Sequence, residues 1–163
     1  MQKFVTNFWF NTNAEEAAKF YISLFENSKI TKILHYSKAG AELAEMPEGS
    51  VMTVDFELEG QSYTLINGGP AFKLSEASSI LVNCKDQAEM DRLWEALTAD
   101  GGEESYCGWL KDRFGLSWQI VPASMNEMDP EKDPEAFERA MAVVYQTKGK
   151  LDAAKIEAAY KGS

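Results

Sequence analysis

Between Val51 and Leu58 the chain alternates without a break, with Met52, Val54, Phe56 and Leu58 apolar and Thr53, Asp55 and Glu57 between them. A period of two sends successive side chains to opposite faces, so this segment predicts a half-buried strand. Glu59-Gly60 is a hairpin signal, and Gln61–Asn67 is expected to return as the next strand. Residues 4–10 alternate as well: Phe4, Phe8 and Phe10 share one side with Thr6, while Val5, Asn7 and Trp9 share the other. The Phe-bearing side is expected to face a core. Between this strand and a further one at residues 29–36, Ala17, Tyr21, Leu24 and Phe25 recur at helical spacing. Asn13, three residues before Glu16, has the spacing of a capping box, and the helix is expected to stop near Asn27. Residues 38–49 are small and acidic, are broken by Pro47 and Gly49, and predict a loop. The resulting order is β-α-β-β-β.

After Asn67-Gly68-Gly69-Pro70 and a loop to Ala77, the order recurs. Residues 79–84 predict a strand. Asp86, three residues before Glu89, predicts a cap for a helix whose core face is Met90, Leu93, Trp94 and Leu97, and Gly101-Gly102 ends it. Strands follow at residues 104–110 and 116–121, joined by the turn Asp112-Arg113-Phe114-Gly115. In the last strand Leu116, Trp118 and Ile120 fall on one face and Ser117, Gln119 and Val121 on the other. This is a repeat of architecture without a repeat of sequence. The remainder is helical. Asp133-Pro134 predicts an N-cap with Pro in the first turn, Phe137, Met141, Val144 and Tyr145 form a stripe, Gly149 interrupts, and residues 152–160 make a last short helix. The stripe predicts packing on the sheet or on a second subunit. The expected organisation is one compact structural unit built from a first module (1–68), a second module (69–122) and a C-terminal helical extension (123–163).

Composition narrows the function. The net charge of −10 and pI near 4.6 supply no basic footprint for nucleic acid and disfavour anionic membranes. No apolar run approaches the ~20 residues of a membrane span. The N-terminal MQKFVTNFWF enters a strand pattern at once without a signal-peptide core, and the two cysteines, Cys84 and Cys107, have no CxxC spacing. A cytoplasmic location is expected. Cys107 has no obvious base, since His35 is the single histidine and lies on another strand, so a small half-buried thiol is the expectation for it. Asp112 is expected to bond the backbone of its own turn. Asn67-Gly68-Gly69-Pro70 lacks the lysine and spacing of a phosphate loop and reads as a turn between modules.

Several segments together carry a resemblance: Asn13-Ala14-Glu15-Glu16-Ala17-Ala18 with Phe20-Tyr21, Gly49-Ser50-Val51-Met52-Thr53-Val54, Asn67-Gly68-Gly69-Pro70, and Gly108-Trp109-Leu110-Lys111-Asp112 through Trp118. In this order, over almost the whole chain, they resemble the PhnB-like proteins of the vicinal oxygen chelate superfamily, which includes glyoxalase I, bleomycin resistance proteins and extradiol dioxygenases. Some members are labelled 3-demethylubiquinone 3-methyltransferase. The resemblance implies an α+β fold of two βαβββ modules, with curved mixed sheets around a cleft, and a homodimer that sometimes exchanges modules. In metal-dependent relatives, His or Glu side chains reach the cleft from the first and last strands of each module. There a divalent cation chelates two adjacent substrate oxygens and stabilises a developing oxyanion.

Carried over by strand parity, those positions fall here on Asn7, Ser79 and Gln119, the last where metal-binding relatives show Glu. Neutral amides and a hydroxyl are poor ligands for zinc, nickel or iron. The expectation is therefore no metal and no cofactor, and a small organic molecule held in the cleft. Trp9 and Trp109 are candidate walls, and Asn67 and Lys111 complete the candidate set. The alternative is a metal-dependent lyase, isomerase or dioxygenase using carboxylates such as Asp55, Glu57 or Glu104. The methyl transfer in the family label would need a cofactor site, and no glycine-rich GxGxG turn is present.

Overall fold

The alternating segments fold as strands, and the helical segments pack on their apolar faces. The computed structural model describes residues 2–163, and the chain falls into two compact units whose boundary lies between Leu74 and Ser75. The first contains β1 (Thr6–Phe10), α1 (Ala14–Leu24), β2 (Lys29–His35), α2 (Lys38–Ala44), β3 (Val51–Leu58) and β4 (Gln61–Asn67). Its four strands form one sheet in the order β1-β4-β3-β2, with β1 parallel to β4 and the other pairs antiparallel. Phe8, Phe10, Val54, Phe56 and Leu65 are buried on the face that α1 covers, together with the helix residues Ala14, Ala17, Ala18 and Tyr21. Three alanines at that contact let helix and sheet approach closely. Each large apolar side chain removed from water there contributes about 1.5–3 kcal/mol. The β3–β4 hairpin turns on Glu59 and Gly60, both at positive φ (45° and 88°), as a two-residue primed turn requires.

Four expectations for this unit need correction. The first strand begins at Thr6, and Phe4 is 81% exposed. The segment 38–49 contains a helix, α2: Ser37 Oγ accepts from Gly40 N, Glu45 closes the end in the left-handed region, and Pro47 and Gly49 come after it. Asn13 makes no side-chain cap for α1. That role belongs to Asn67, whose Oδ1 accepts from Ala14 N at 2.9 Å. The helix ends at Leu24, three residues before Asn27 takes its turn at φ 48°.

The second unit contains β5 (Ser79–Cys84), α3 (Gln87–Thr98), β6 (Glu103–Glu104), β7 (Trp109–Lys111), β8 (Ser117–Pro122), α4 (Pro134–Gln146) and α5 (Ala153–Lys161). The order of its sheet is β5-β8-β7-β6, and β5 and β8 run parallel, as β1 and β4 do. Asp86 caps α3 through its Oδ1, which accepts from Glu89 N at 2.8 Å, while the Glu89 carboxylate reaches back to Lys85 N. Met90, Leu93, Trp94 and Leu97 are buried, as are Leu110, Trp118 and Ile120 of the strands α3 covers.

The single strand expected at residues 104–110 is two short ones, because the chain between them pairs elsewhere. Cys107 N donates to Thr147 O and Gly108 N to Gly149 O, both at 3.0 Å. Gly108 sits at φ 81°, and a Cβ there would lie 2.8 Å from Ile120 O and 2.9 Å from Leu151 Cδ1, so only glycine fits. The residues after Pro122 thus belong to the second unit. Leu151 is buried, and the Gln87 side chain accepts from Ala153 N and donates to Leu151 O. The buried line of α4 is Ala136, Ala140 and Val144, whereas Tyr145, expected in the stripe, is 69% exposed. Arg139 ties α4 to α5 by donating to Ala159 O and Tyr160 O.

Candidate functional site

In each unit one sheet face packs on a helix and the other carries the polar side chains. On the second sheet the register fixes which side chains meet. Glu103 pairs with Lys111, Lys111 with Ser117, and Ser117 with Ser79, so these four form one row across β6, β7, β8 and β5. One step along, Trp109, Gln119 and Leu81 form the next row on the same face. Directly opposed side chains on such a surface have Cβ atoms about 5 Å apart, and diagonal neighbours are within reach of longer side chains. Gln119 uses the diagonal: its Nε2 donates to Ser79 Oγ at 2.9 Å. Lys111 Nζ lies 2.9 Å from Glu103 Oε2, and that carboxylate, with a smaller contribution from Glu76, raises the lysine above its ordinary range. Lys111 is therefore charged at neutral pH.

The structure thus brings Ser79, Trp109, Lys111 and Gln119 together on one surface. It adds a residue that had not been singled out from the sequence. Ser117 is 1% exposed, and its Oγ is buried without a hydrogen-bond partner among the described residues. A buried hydroxyl is normally paired, and leaving one unpaired costs about 1–3 kcal/mol. The strand parity of Ser117 with Gln119 was visible in the sequence, but its burial was not.

Asp112 sits beside this face and serves the fold. It is 1% exposed, its Oδ1 accepts from Phe114 N and Leu116 N at 2.9 and 3.0 Å, and its Oδ2 accepts from Trp118 Nε1 at 2.8 Å. Glu104 accepts from Trp94 Nε1 at 2.7 Å, which also fixes it structurally. Cys107 is half-buried with Sγ 3.9 Å from Tyr145 O. Cys84 is buried, and desolvation, with help from Glu89 and Asp86 against Arg92, pushes its thiol up to about 12.

On the first sheet, Asn7 and Trp9 share a face with Thr64, Ile66, Thr53, Asp55 and Glu57. Asn7 is exposed. Thr64 donates to Asp55 Oδ1 at 2.7 Å, and Glu57 lies 3.8 Å from Lys29. Trp9 is committed to its own loop: Nε1 donates to Gly69 O, the ring lies where a Cβ on Gly68 would stand, and Phe72 packs edge-on at 5.0 Å. Asn67 has to be withdrawn from the candidate set. It lies on the helix-facing side, 3% exposed, with Oδ1 capping α1 and Nδ2 donating to Val51 O. His35 is exposed at the end of β2.

The donor chemistry can be tested against a divalent cation of the kind the superfamily implies. Ser79 and Gln119 are neutral and are bonded to each other, and Asn7 is an amide. Among the described residues no group of three His, Cys, Asp or Glu is disposed to hold a metal ion. These residues do not fit such an ion.

Comparison with known proteins places the chain. No curated protein matches it. Among solved structures, the Bacillus cereus PhnB protein, described as a 3-demethylubiquinone-9 3-methyltransferase, is 34% identical over 75% of this chain and 100% of its own, with a TM-score of 0.67. A Pseudomonas aeruginosa protein is 23% identical over 72% of this chain and 95% of its own, with a TM-score of 0.59, and supports the fold alone. A glyoxalase/bleomycin resistance protein from Albidiferax ferrireducens is 17% identical over 72% of this chain and 95% of its own, at a TM-score of 0.43. The family model for 3-demethylubiquinone-9 3-methyltransferase matches residues 2–121, which span both βαβββ sets. The two four-stranded mixed sheets, each with a parallel pairing of first and last strand, and the match over both of them show that the chain belongs to the 3-demethylubiquinone-9 3-methyltransferase-like (PhnB) family.

Proposed function

We propose that this chain binds a small organic molecule without a resident metal, and that the polar face of the second sheet holds it. The observation that carries this reading is the Gln119–Ser79 hydrogen bond of 2.9 Å. It occupies positions where metal-dependent relatives are expected to keep ligands, and it turns them into a fixed amide–hydroxyl pair. Because Ser79 Oγ accepts from Gln119, the Ser79 proton is left to donate, and Gln119 Oε1 is left to accept. Beside this pair the half-buried Trp109 and the 48% exposed Leu81 offer apolar area. A few fixed polar groups against an apolar wall are the usual composition of a small-molecule site. The methyl transfer named in the family label is not part of this reading, since no side chain described above supplies a place for a methyl donor.

A homodimer belongs to the same reading. Its support is the family resemblance, which implies a homodimer. The test is a native mass spectrum of untagged protein purified without chelators. A dimer mass free of stoichiometric metal and carrying an organic adduct is the expected result. A stoichiometric divalent metal would overturn the metal-independent reading and move attention to Asp55 and Glu57.

A further inference from the structure

We infer that residues 147–153 of the C-terminal extension are a strap that positions Trp109, the indole beside the Gln119–Ser79 pair, and so shape the proposed site from outside the sheet. The consequence for binding rests on the small-molecule reading above. The family match ends at residue 121, so it assigns no role to this segment. Before Trp109 the chain makes a tight turn. Cys107 and Gly108 stand at positive φ, 59° and 81°, and Trp109 N donates to Tyr106 O across them at 3.0 Å. Such a primed turn prefers Asn, Asp or Gly at both central positions. Cysteine is disfavoured there, because in the left-handed region its Cβ crowds the following carbonyl. The turn's own sequence therefore does not account for it.

The strap supplies what the turn lacks. Both central N–H groups are taken by it: Cys107 N donates to Thr147 O and Gly108 N to Gly149 O, while Tyr106 bridges to Lys148. Leu151 is buried, and its Cδ1 lies 2.9 Å from where a Cβ on Gly108 would stand. The turn in its place holds Trp109, whose N donates to Tyr106 O and whose O accepts from Ser105 N at 2.9 Å. β7 is only three residues long, and the bond to β8 beside Trp109 comes from the turn as well, with Ile120 N donating to Gly108 O at 2.8 Å. The strap is tied down by side chains of α3. Gln87 accepts from Ala153 N and donates to Leu151 O, and Lys150 pairs with Asp91. Gln87 and Lys150 can be changed without altering the turn or Trp109.

The experiment loosens the strap from that end in the full chain and follows amide hydrogen exchange and tryptophan indole resonances by nuclear magnetic resonance. In Gln87→Ala the amides of Ala153, Cys107 and Gly108 should exchange about tenfold faster, and the Trp109 indole resonance should shift while those of Trp9 and Trp118 stay in place. Lys150→Ala should move the same signals in the same direction by less, because that pair is partly exposed, and it takes over if Gln87→Ala does not fold. A faster Ala153 amide with Cys107, Gly108 and the Trp109 indole unchanged would overturn the inference, since the strap would have moved without the turn. An unchanged Ala153 amide would overturn it too, because Gln87 would then not hold the strap. Equal acceleration at Leu110, Trp118 and Ile120 would do the same, as it reports lost stability of the whole unit. None of these readouts uses a ligand, so the strap can fail while an organic adduct in the native mass spectrum upholds the binding reading, and the reverse.

Discussion

Ser117→Ala should make the protein more stable in the absence of ligand. The hydroxyl is buried, 1% exposed as a residue, and bonds to nothing among the described residues, so folding strips its water without replacement. That desolvation costs about 1–3 kcal/mol, and the substitution removes it. Two smaller effects oppose the gain. Alanine is a poorer strand residue than average, on a scale spanning about 1 kcal/mol, and the missing oxygen leaves a void smaller than a methyl group. The net expectation is a gain of about 1 kcal/mol, or a Tm rise of about 2–4 °C for a chain of 163 residues. Urea denaturation of both proteins at neutral pH measures it, with the m-value as a check that the same surface is exposed on unfolding. Ser79→Ala is the control, because that hydroxyl accepts from Gln119, and its loss should cost about 0.5–1.5 kcal/mol. A lower urea midpoint in Ser117→Ala at equal m would refute the reasoning, since it would mean that the hydroxyl already has a partner.

Other outcomes follow from the same geometry. Asn67→Ala strands Ala14 N and Val51 O and should cost about 2–4 kcal/mol in urea melts; a loss under 1 kcal/mol would argue against the capping role. Asp112→Ala removes the acceptor to which Phe114 N, Leu116 N and Trp118 Nε1 donate and should cost about 3–5 kcal/mol, with a change in near-UV circular dichroism from Trp118. Cys84, with a thiol pushed from 9.0 to about 12 in the folded protein, contributes stability that is complete below pH 9 and lost as the pH rises towards 12. The unfolded chain gives up that proton first, so wild type should lose stability relative to Cys84→Ala between pH 8 and 10.5; parallel pH dependences would count against the assignment. In thiol titration with an aromatic disulfide at neutral pH, Cys107 should react first and Cys84 only on unfolding.

Strand parity was legible because it depends only on a period of two. The buried Phe8, Phe10, Val54, Phe56 and Leu65 on one sheet and Trp118 and Ile120 on the other lie on the faces their spacing predicts. The β-α-β-β-β order of the first unit followed from the same local rule combined with turn residues, as did the Asp86 cap and the Asp112 turn, whereas in the second unit that rule reads β6 and β7 as one strand. The interactions that span the chain were not legible. Asn13 had the local pattern of a cap, yet the amide that caps α1 is Asn67, brought there from 53 residues away by the parallel pairing of β1 with β4. Propensity alone could not place α2, where Ser37 and Glu45 close the ends of a short helix in a stretch that resembles a loop.

The site shows the same division. From one strand alone, the sequence by itself determined that Gln119 and Ser117 share a face. The tertiary structure decided that Trp109 and Lys111 extend that face, that Ser79 joins it in register with Ser117, and that Asn67 points away from it. It also decided that one of two similar serines is hydrogen-bonded while the other is buried alone. The physical reason is range. Backbone stereochemistry sets the alternation of side chains within a strand, whereas register, burial and hydrogen-bond partnership are set by which distant segments pair.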